Sequence, residues 1–227
     1  MGARTTTAQY KGLFIENRKG DEFAKHMLEY DQSLKRLRDK GFERHLRPSE
    51  AFSLVFERIE GKLEGDLFDI ACRMTAPYSW GEWHSMAFER RGSKLIVYLD
   101  PEGLIYVPSY VMHNNKKYRT SVTYKTDDSF RYSEKKEFDI NGLLYLCINL
   151  VDFHRFAKDN PNSAELIRYI FGRGIEDIPE IWKKSGSISL PEEQNVIWPI
   201  GLCTEEYGHV IGCWEANGAS RGVIPIR

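Results

Sequence analysis

Near residue 80 the spacing of the apolar residues changes, and this change divides the chain into a helical part and a strand-rich part. Before it, apolar residues recur every three or four positions, which is typical of amphipathic helices. The spacing predicts helices over 21–40, after Pro48 and after Asp66. Each is followed by a glycine or a proline that ends it. Beyond residue 80, short runs rich in aromatic and β-branched residues are typical of strands.

Two turn sequences, RGS at 91–93 and DPEG at 100–103, divide the strand-rich part into three runs: 83–88, 94–99 and 104–107. Glycine, and proline followed two residues later by glycine, favour tight turns. The pattern therefore predicts a three-stranded meander. A further strand is expected over 118–124, where aromatic and β-branched residues recur.

A strong helical stripe follows Asp139. Its members keep the i, i+3, i+4 spacing and are Ile140, Leu143, Leu144, Cys147 and Val151. Because Asp139 suits a helix start and Pro161 a stop, we expect a central helix over 139–158. Another helix is expected over 164–171, and strands and loops from Ser187 onward, where glycines separate short apolar runs.

The predicted order is helices, sheet, helices and a strand-rich tail, which makes the fold class α+β, because no strand–helix–strand alternation is visible. We expect N-terminal helices, a central antiparallel sheet packed on the long helix, and a Gly-rich β tail. Residues 1–160 are expected to form the main domain, and 161–227 a helix and tail, either a subdomain or part of the same core. A chain of 227 residues is long enough for a self-sufficient core.

The net charge and the lengths of the apolar runs limit the functions that this chain can have. The chain has 32 basic and 33 acidic residues and a net charge of −1, so no global field attracts nucleic acid or an anionic membrane. No apolar run is long enough for a membrane span, and residues 1–9 lack the apolar region of a signal peptide. We expect a cytoplasmic protein with reduced thiols, and leave secretion by a signal-independent route open.

One group of residues has the composition of a nucleophilic site. His84 begins one predicted strand and Asp100 ends the next, so a short turn between antiparallel neighbours brings them side by side. An imidazole and a carboxylate there would serve as a general base and the group that orients it. The simpler interpretation is a packed strand histidine and an ordinary turn aspartate.

The string EWHSMAF at 82–88, followed by YLDPEG at 98–103, resembles the His and Asp elements of adenovirus-protease-like cysteine peptidases. That group includes ubiquitin-like-protein proteases and YopJ-type acetyltransferases. The resemblance covers about 83–147 and implies that a Cys-Gly pair opens a later helix. Here the corresponding pair is Asn141-Gly142, and asparagine is no thiolate nucleophile. Cys147, six residues later, is the alternative nucleophile, although its place on the apolar stripe favours core packing.

Two further groups of residues have the composition of ligand sites. Cys203, His209 and Cys213 have the residue types of zinc ligands, but their spacing matches no common zinc motif, so a metal there is left open and unmetallated cysteines are the simpler interpretation. Basic residues concentrate over 35–47 and over 116–136, the second group interleaved with aromatics. Such groups can hold single-stranded nucleic acid or an inositol phosphate, whereas solvated helix and strand faces are the simpler interpretation.

These observations favour a non-catalytic binding or structural protein, including a degenerate cysteine-peptidase-like domain. Twelve Tyr, twelve Phe and five Trp supply interface anchors, so we expect a protein partner or self-association. Membrane association is not expected, nucleic acid is disfavoured, and no cofactor or metal is assigned. The alternative function is a cysteine-dependent peptidase or acyltransferase using His84 as base, Asp100 as the orienting group and Cys147 as nucleophile.

Overall fold

The computed structural model describes residues 6–17, 28–74, 82–140, 147–149, 161–191, 193–205, 208–213 and 219–226. Within them lie five helices, which we number α1 (Tyr30–Asp39), α2 (Pro48–Ile59), α3 (Gly65–Met74), α4 (Pro161–Phe171) and α5 (Glu180–Ser185). The strands before residue 100 are β1 (Thr6–Tyr10), β2 (Leu13–Asn17), β3 (Arg44–His45), β4 (Glu82–Arg91) and β5 (Lys94–Leu99). The later strands are β6 (Glu102–His113), β7 (Lys116–Arg131), β8 (Glu134–Asp139), β9 (Cys147–Asn149), β10 (Gly186–Ser189), β11 (Ile197–Glu205), β12 (Gly208–Cys213), β13 (Ala219–Ser220) and β14 (Gly222–Pro225).

These strands form three sheets. The largest has the order β8-β5-β4-β11-β12-β10-β9, with β13 also pairing with β4. A four-stranded sheet has the order β1-β2-β14-β3, and β6 and β7 form a separate two-stranded hairpin. Most pairs are antiparallel, the exceptions among these named strands being β10 with β12 and β13 with β4. The C-terminal strands thus complete sheets begun by the first half of the chain.

The central strands β4 and β5 are buried on both faces. On one face Met86, Phe88 and Val97 join the larger hydrophobic core with the helices. There Phe52 of α2 contacts Phe171 of α4, with ring centroids 4.5 Å apart. On the other face Trp83, Tyr98 and their neighbours form a second core with α1 and the base of the β6–β7 hairpin. The sheet is therefore a middle layer with a core on each side.

Short helices follow the local rules of the sequence. Pro48 opens α2, and the Glu50 side chain accepts a hydrogen bond from the Arg47 backbone N–H at 2.8 Å, which caps the helix. The helices predicted after Pro48, after Asp66 and over 164–171 are confirmed as α2, α3 and α4. The helix predicted over 21–40 is confirmed for Tyr30–Asp39, while residues 21–27 lie outside the described residues.

The expected central helix over 139–158 is wrong where the structure describes it. Asp139 ends strand β8 instead of capping a helix, and Cys147–Asn149 is strand β9, paired with β10. Residues 141–146 and 150–158 lie outside the described residues. The physical reason is that 140–151 is nearly continuously apolar, and periodicity alone cannot separate a buried strand from a buried helix.

The expected α+β class, a central sheet packed on that long helix, is therefore also wrong. Among the described residues, about 48% lie in strands and about 31% in helices, and the helices are short. The predicted meander is correct for β4 and β5 but not for the third run. The partner of β5 on its outer side is β8, and β6 leaves the sheet to pair with β7. Asp100 and Gly103 have φ values of +50° and +72°, which turn the chain out of the sheet.

No helix among the described residues combines the length and the apolar character that crossing a bilayer requires.

Candidate functional site

His84, the predicted general base, lies in the interior. Its side chain is fully buried on β4, and its Nδ1 lies 3.3 Å from the carbonyl oxygen of Leu46. The Nε2 atom is also buried and has no hydrogen-bond partner among the described residues. Burial lowers the pKa of His84 to about 4, although the contact with Leu46 opposes this shift. The imidazole is therefore neutral at physiological pH and held by the backbone.

Asp100, the predicted orienting group, makes its hydrogen bonds elsewhere. Its carboxylate accepts hydrogen bonds from Arg47, with Nε 3.1 Å from Oδ1, and from Ser133, with Oγ 2.6 Å from Oδ2. Burial alone would raise the pKa of Asp100, but these hydrogen bonds and the charges of Arg47 and Arg44 outweigh it and hold the pKa below its usual value. Asp100 is thus an ionised group that joins α2, the end of β5 and the chain before β8.

The register of β4 and β5 explains why these two residues have different partners. Met86 pairs with Leu99, and the Asp100 N–H donates to the Ser85 carbonyl at 3.1 Å. Ser85, and not His84, is therefore opposite Asp100. Since successive residues of a strand face opposite sides of the sheet, His84 and Ser85 project to different faces.

Cys147 lies far along the same sheet. It pairs with Ser189 on β10, Ser189 pairs with Gly212 on β12, and Gly212 with Gly201 on β11, which in turn pairs with Trp83. Four strand spacings separate Cys147 from Trp83, about 19 Å along the sheet. The structure therefore does not bring the backbone positions of His84 and Cys147 together. Asn141 lies outside the described residues.

The residues weighed as zinc ligands lie on the β11–β12 hairpin. Cys203 pairs with Val210, and His209 with Thr204. Cys213 is four residues beyond His209 on β12, a separation of about 13 Å along an extended strand. Among the described residues, no group of three or more His, Cys, Asp or Glu side chains is placed to hold a metal ion.

Three arginines of the first basic group pair with carboxylates in an open cleft of about 840 Å³ between α1, α2 and the start of the hairpin. Arg47 pairs with Asp100, and Arg38 pairs with Glu102. Arg44 makes two hydrogen bonds to Glu50, at 2.6 and 2.8 Å. Because each of these cations has an anionic partner, the cleft carries little free positive charge for a phosphate.

The second basic group, 116–136, begins at the end of the β6–β7 hairpin and continues along β7 into β8. We call residues 109–119 the hairpin tip, and every one of them is exposed. From residue 109 to the turn the tip extends about 17 Å. Asn114 and Asn115 form its two-residue turn with φ values of +49° and +57°, a conformation that asparagine tolerates better than most residues.

Large apolar and aromatic side chains cover this tip. Met112 is 67% exposed, Val111 50%, and Tyr110 and Tyr118 are each 47% exposed. The base of the same hairpin is buried, since Leu104, Val122 and Tyr124 pack in the second core. Gly103 permits this packing, because a Cβ atom there would lie 2.6 Å from Asp127 Oδ1 and 2.8 Å from the Phe130 nitrogen. The hairpin is therefore a ribbon anchored at one end and unsupported at the other.

Cations of the tip lie against its own tyrosines. Lys117 Nζ is 3.9 Å from the centre of the Tyr110 ring, and Arg119 Nη1 donates to the Tyr106 hydroxyl at 2.7 Å. No Asp or Glu occurs from 104 to 126, a stretch that holds Lys116, Lys117, Arg119 and Lys125. The tip thus combines exposed apolar groups with positive charge only.

Sequence patterns predicted only short strands at 104–107 and 118–124 in this region, so the long hairpin was missed. Two signals could have found it. Asn114-Asn115 is a suitable two-residue hairpin turn, and the run from 104 to 126 lacks acidic residues altogether. Neither signal shows which end is buried, because the base is covered by residues distant in sequence.

Comparison of the chain with protein-family models, with functionally characterised proteins and with solved structures gives no match. The resemblance to adenovirus-protease-like cysteine peptidases stays a prediction from the residues that carry it.

Proposed function

We propose that this protein is a non-catalytic binding protein whose docking element is the hairpin tip, residues 109–119. The observation that carries the proposal is the exposure of Tyr110, Val111, Met112 and Tyr118 on a projecting two-stranded ribbon. Aromatic residues and methionine are enriched in the cores of protein interfaces. Several of these residues exposed together on one element are typical of an interaction site, whereas single exposed apolar residues are ordinary.

Anchoring of the base supports this proposal. A two-stranded hairpin is at best marginally stable alone in water, so the tip needs its base to hold its shape. Leu104, Val122 and Tyr124 supply that anchor, and the Tyr124 ring meets the Trp198 ring at 5.5 Å. A preformed tip loses less conformational entropy on binding than a disordered segment does.

Separation of the candidate catalytic groups favours binding over catalysis. His84 contacts the Leu46 carbonyl, Asp100 is engaged by Arg47 and Ser133, and Cys147 is four strands from Trp83. A general base must reach its nucleophile by a direct hydrogen bond or through one water molecule.

Site-specific photocrosslinking tests the docking role. A p-benzoylphenylalanine placed at Met112 should form adducts with a small set of proteins in the source cells. The same group at Phe68 of α3, which is 43% exposed, is the matched control and should not form them. The purified partner should then bind the wild-type chain and lose affinity for Met112→Ser. Equal adducts at both positions, or undiminished binding by Met112→Ser, would refute the proposal.

Thiol chemistry tests the alternative function. A nucleophilic Cys147 would react with iodoacetamide at pH 7 much faster than Cys72, a partly exposed thiol on α3. We expect no such acceleration at Cys147. Acceleration of about tenfold or more, abolished in His84→Ala, would favour a cysteine-dependent enzyme.

A further inference from the structure

We infer that the partner of the hairpin tip is a protein surface with an apolar pocket bordered by carboxylates. This inference rests on the proposed function and assigns the chemistry of its binding partner. The pocket would take Met112, which lies close to the turn, while acidic side chains at its border would meet Lys116 and Lys117. Three features of the hairpin support this assignment.

Charge is the first feature. Positions 104–126 carry four Lys and Arg residues and no Asp or Glu, whereas the whole chain has a net charge of −1. Residues 104–126 therefore carry a net charge of +4, which the net charge of −5 on the rest of the chain outweighs. Complementary potentials speed association and reject wrong partners, so an acidic surface is the expected complement.

Shape and chemistry of the outermost residues are the second feature. Met112 is the most exposed large apolar side chain among the described residues, at 67%, and lies two positions from the turn. Methionine is unbranched and adapts to irregular apolar pockets. Anchors of this kind, buried at the centre of an interface, supply much of the binding energy, while charged residues at its border contribute less.

Internal contacts of the tip are the third feature, and they disfavour nucleic acid. Base stacking needs a free aromatic face, but Lys117 lies over the Tyr110 ring at 3.9 Å. Arg119 is engaged by the Tyr106 hydroxyl at 2.7 Å, which leaves it less available for phosphate. A symmetric contact between two tips is also disfavoured, because it would bring Lys116 and Lys117 of both copies together.

A random 12-residue peptide library displayed on phage, selected on the immobilised full chain, provides the test. We expect the selected peptides to combine aromatic or aliphatic residues with flanking Asp or Glu. Their affinity should fall at least about tenfold for Lys116→Glu/Lys117→Glu and for Met112→Ser. The matched control is Lys62→Glu/Lys94→Glu, whose side chains are 63% and 59% exposed, and it should change affinity less than about twofold.

Three further probes make the inference falsifiable. These are a fluorescent 20-mer of oligo(dT), a 20-base-pair duplex, and phosphatidylcholine vesicles containing phosphatidylserine. Tip-dependent binding to any of them that is tighter than binding to the selected peptides would overturn the protein partner. Tip-dependent dimerisation in sedimentation equilibrium would replace it with a second copy of the chain.

The outcomes separate this inference from the proposed function. Some selected peptides could lack acidic residues and still lose affinity for the tip variants. That result would refute the acidic border of the pocket but would keep the docking role of the hairpin tip. Peptides that bind equally well to Lys116→Glu/Lys117→Glu, Met112→Ser and wild type, together with equal photocrosslinking at Met112 and Phe68, would refute both. Thermal unfolding of each variant shows that a lost affinity does not come from a lost fold.

Discussion

Strand β4 buries polar side chains, whereas the hairpin tip exposes apolar ones. Along β4 the polar residues Glu82, His84, Ser85 and Glu89 are all at most 3% exposed. At the tip the large apolar residues are about half exposed or more. Both segments are extended strands of one chain, so secondary structure does not decide burial here. The layers packed around each segment decide it.

The difference lies in the partners that each region has. On β4, Glu82 forms an ion pair with Arg221 at 3.1 Å, and Glu89 accepts a hydrogen bond from the Tyr98 hydroxyl at 2.6 Å. Burying such groups is tolerated only with partners of this kind. The apolar groups of the tip have no neighbouring layer. The unusual residues of β4 thus serve the fold, while those of the tip have no comparable structural role.

The largest expected effect is the loss of the buried ion pair. Glu82→Gln removes the carboxylate charge that pairs with the fully buried Arg221, and we expect the free energy of unfolding to fall by about 3–5 kcal/mol. Urea denaturation followed by tryptophan fluorescence measures it. The matched control is Glu137→Gln, whose pair with Lys94 also measures 3.1 Å but is solvent-exposed, and it should leave stability almost unchanged. Equal effects of both variants would contradict the expected difference between the buried and the exposed ion pair.

A smaller effect is expected from acid at His84. Its pKa is about 4 in the folded state and about 6.5 when unfolded, so the unfolded chain binds the proton first as pH falls. Stability due to this residue is complete above about pH 6.5 and is lost between pH 6.5 and 4. Between pH 7.5 and 4.5, His84→Gln should lose about 2 kcal/mol less than the wild type. An identical pH dependence in both proteins would contradict the neutral buried imidazole.

Asp100, at the junction between β5 and the hairpin, should have an intermediate effect. Asparagine tolerates the φ of +50°, so Asp100→Asn removes the charge without adding backbone strain. We expect a loss of about 1–2 kcal/mol at pH 7, because the charge-assisted hydrogen bonds from Arg47 weaken. The pKa of Asp100 is below its usual value of 3.8, so this stabilisation is present above that pH and is lost as pH falls through the folded-state pKa. A difference between the two proteins that is as large at pH 2 as at pH 7 would argue against an ionised Asp100.

The smallest expected effect on stability is at the tip. Met112→Ser should change the free energy of unfolding by less than about 0.5 kcal/mol, because the side chain is 67% exposed. Binding to the partner should nevertheless fall at least about tenfold. Calorimetric unfolding and titration of the same variant compare the two quantities. A destabilisation above about 1 kcal/mol would give Met112 a structural role and would contradict the proposed docking role.

Local sequence rules predicted much of the secondary structure. Helices α2 and α4 were found because Pro48 and Gly172 mark one end of each and apolar residues follow the helical period between the ends. Strands β4 and β5 were found because turn residues separate runs of β-formers. Each of these patterns depends on residues close together in the sequence, and the structure forms the predicted helices and strands there.

Long-range packing decided the features that the sequence patterns missed. The apolar run around Cys147 forms a strand where the structure describes it because β10 offers a partner forty residues later. Asp100 lies opposite Ser85 and not opposite His84, and the sequence does not specify this register of β4 and β5. The exposed tip was missed because its amino acids resemble those of a buried strand, and only the absence of a covering layer distinguishes it.

The position of β14 affects how the chain folds while it is being synthesised. This strand lies between β2 and β3, with Val223 beside Ile15, so the last described strand joins two of the first three. During synthesis, the edge of β2 that pairs with β14 stays unpaired until β14 has been made. A nascent chain that stalls before Gly222 presents the open edge of β2 to other chains, and aggregation during translation is expected to begin there.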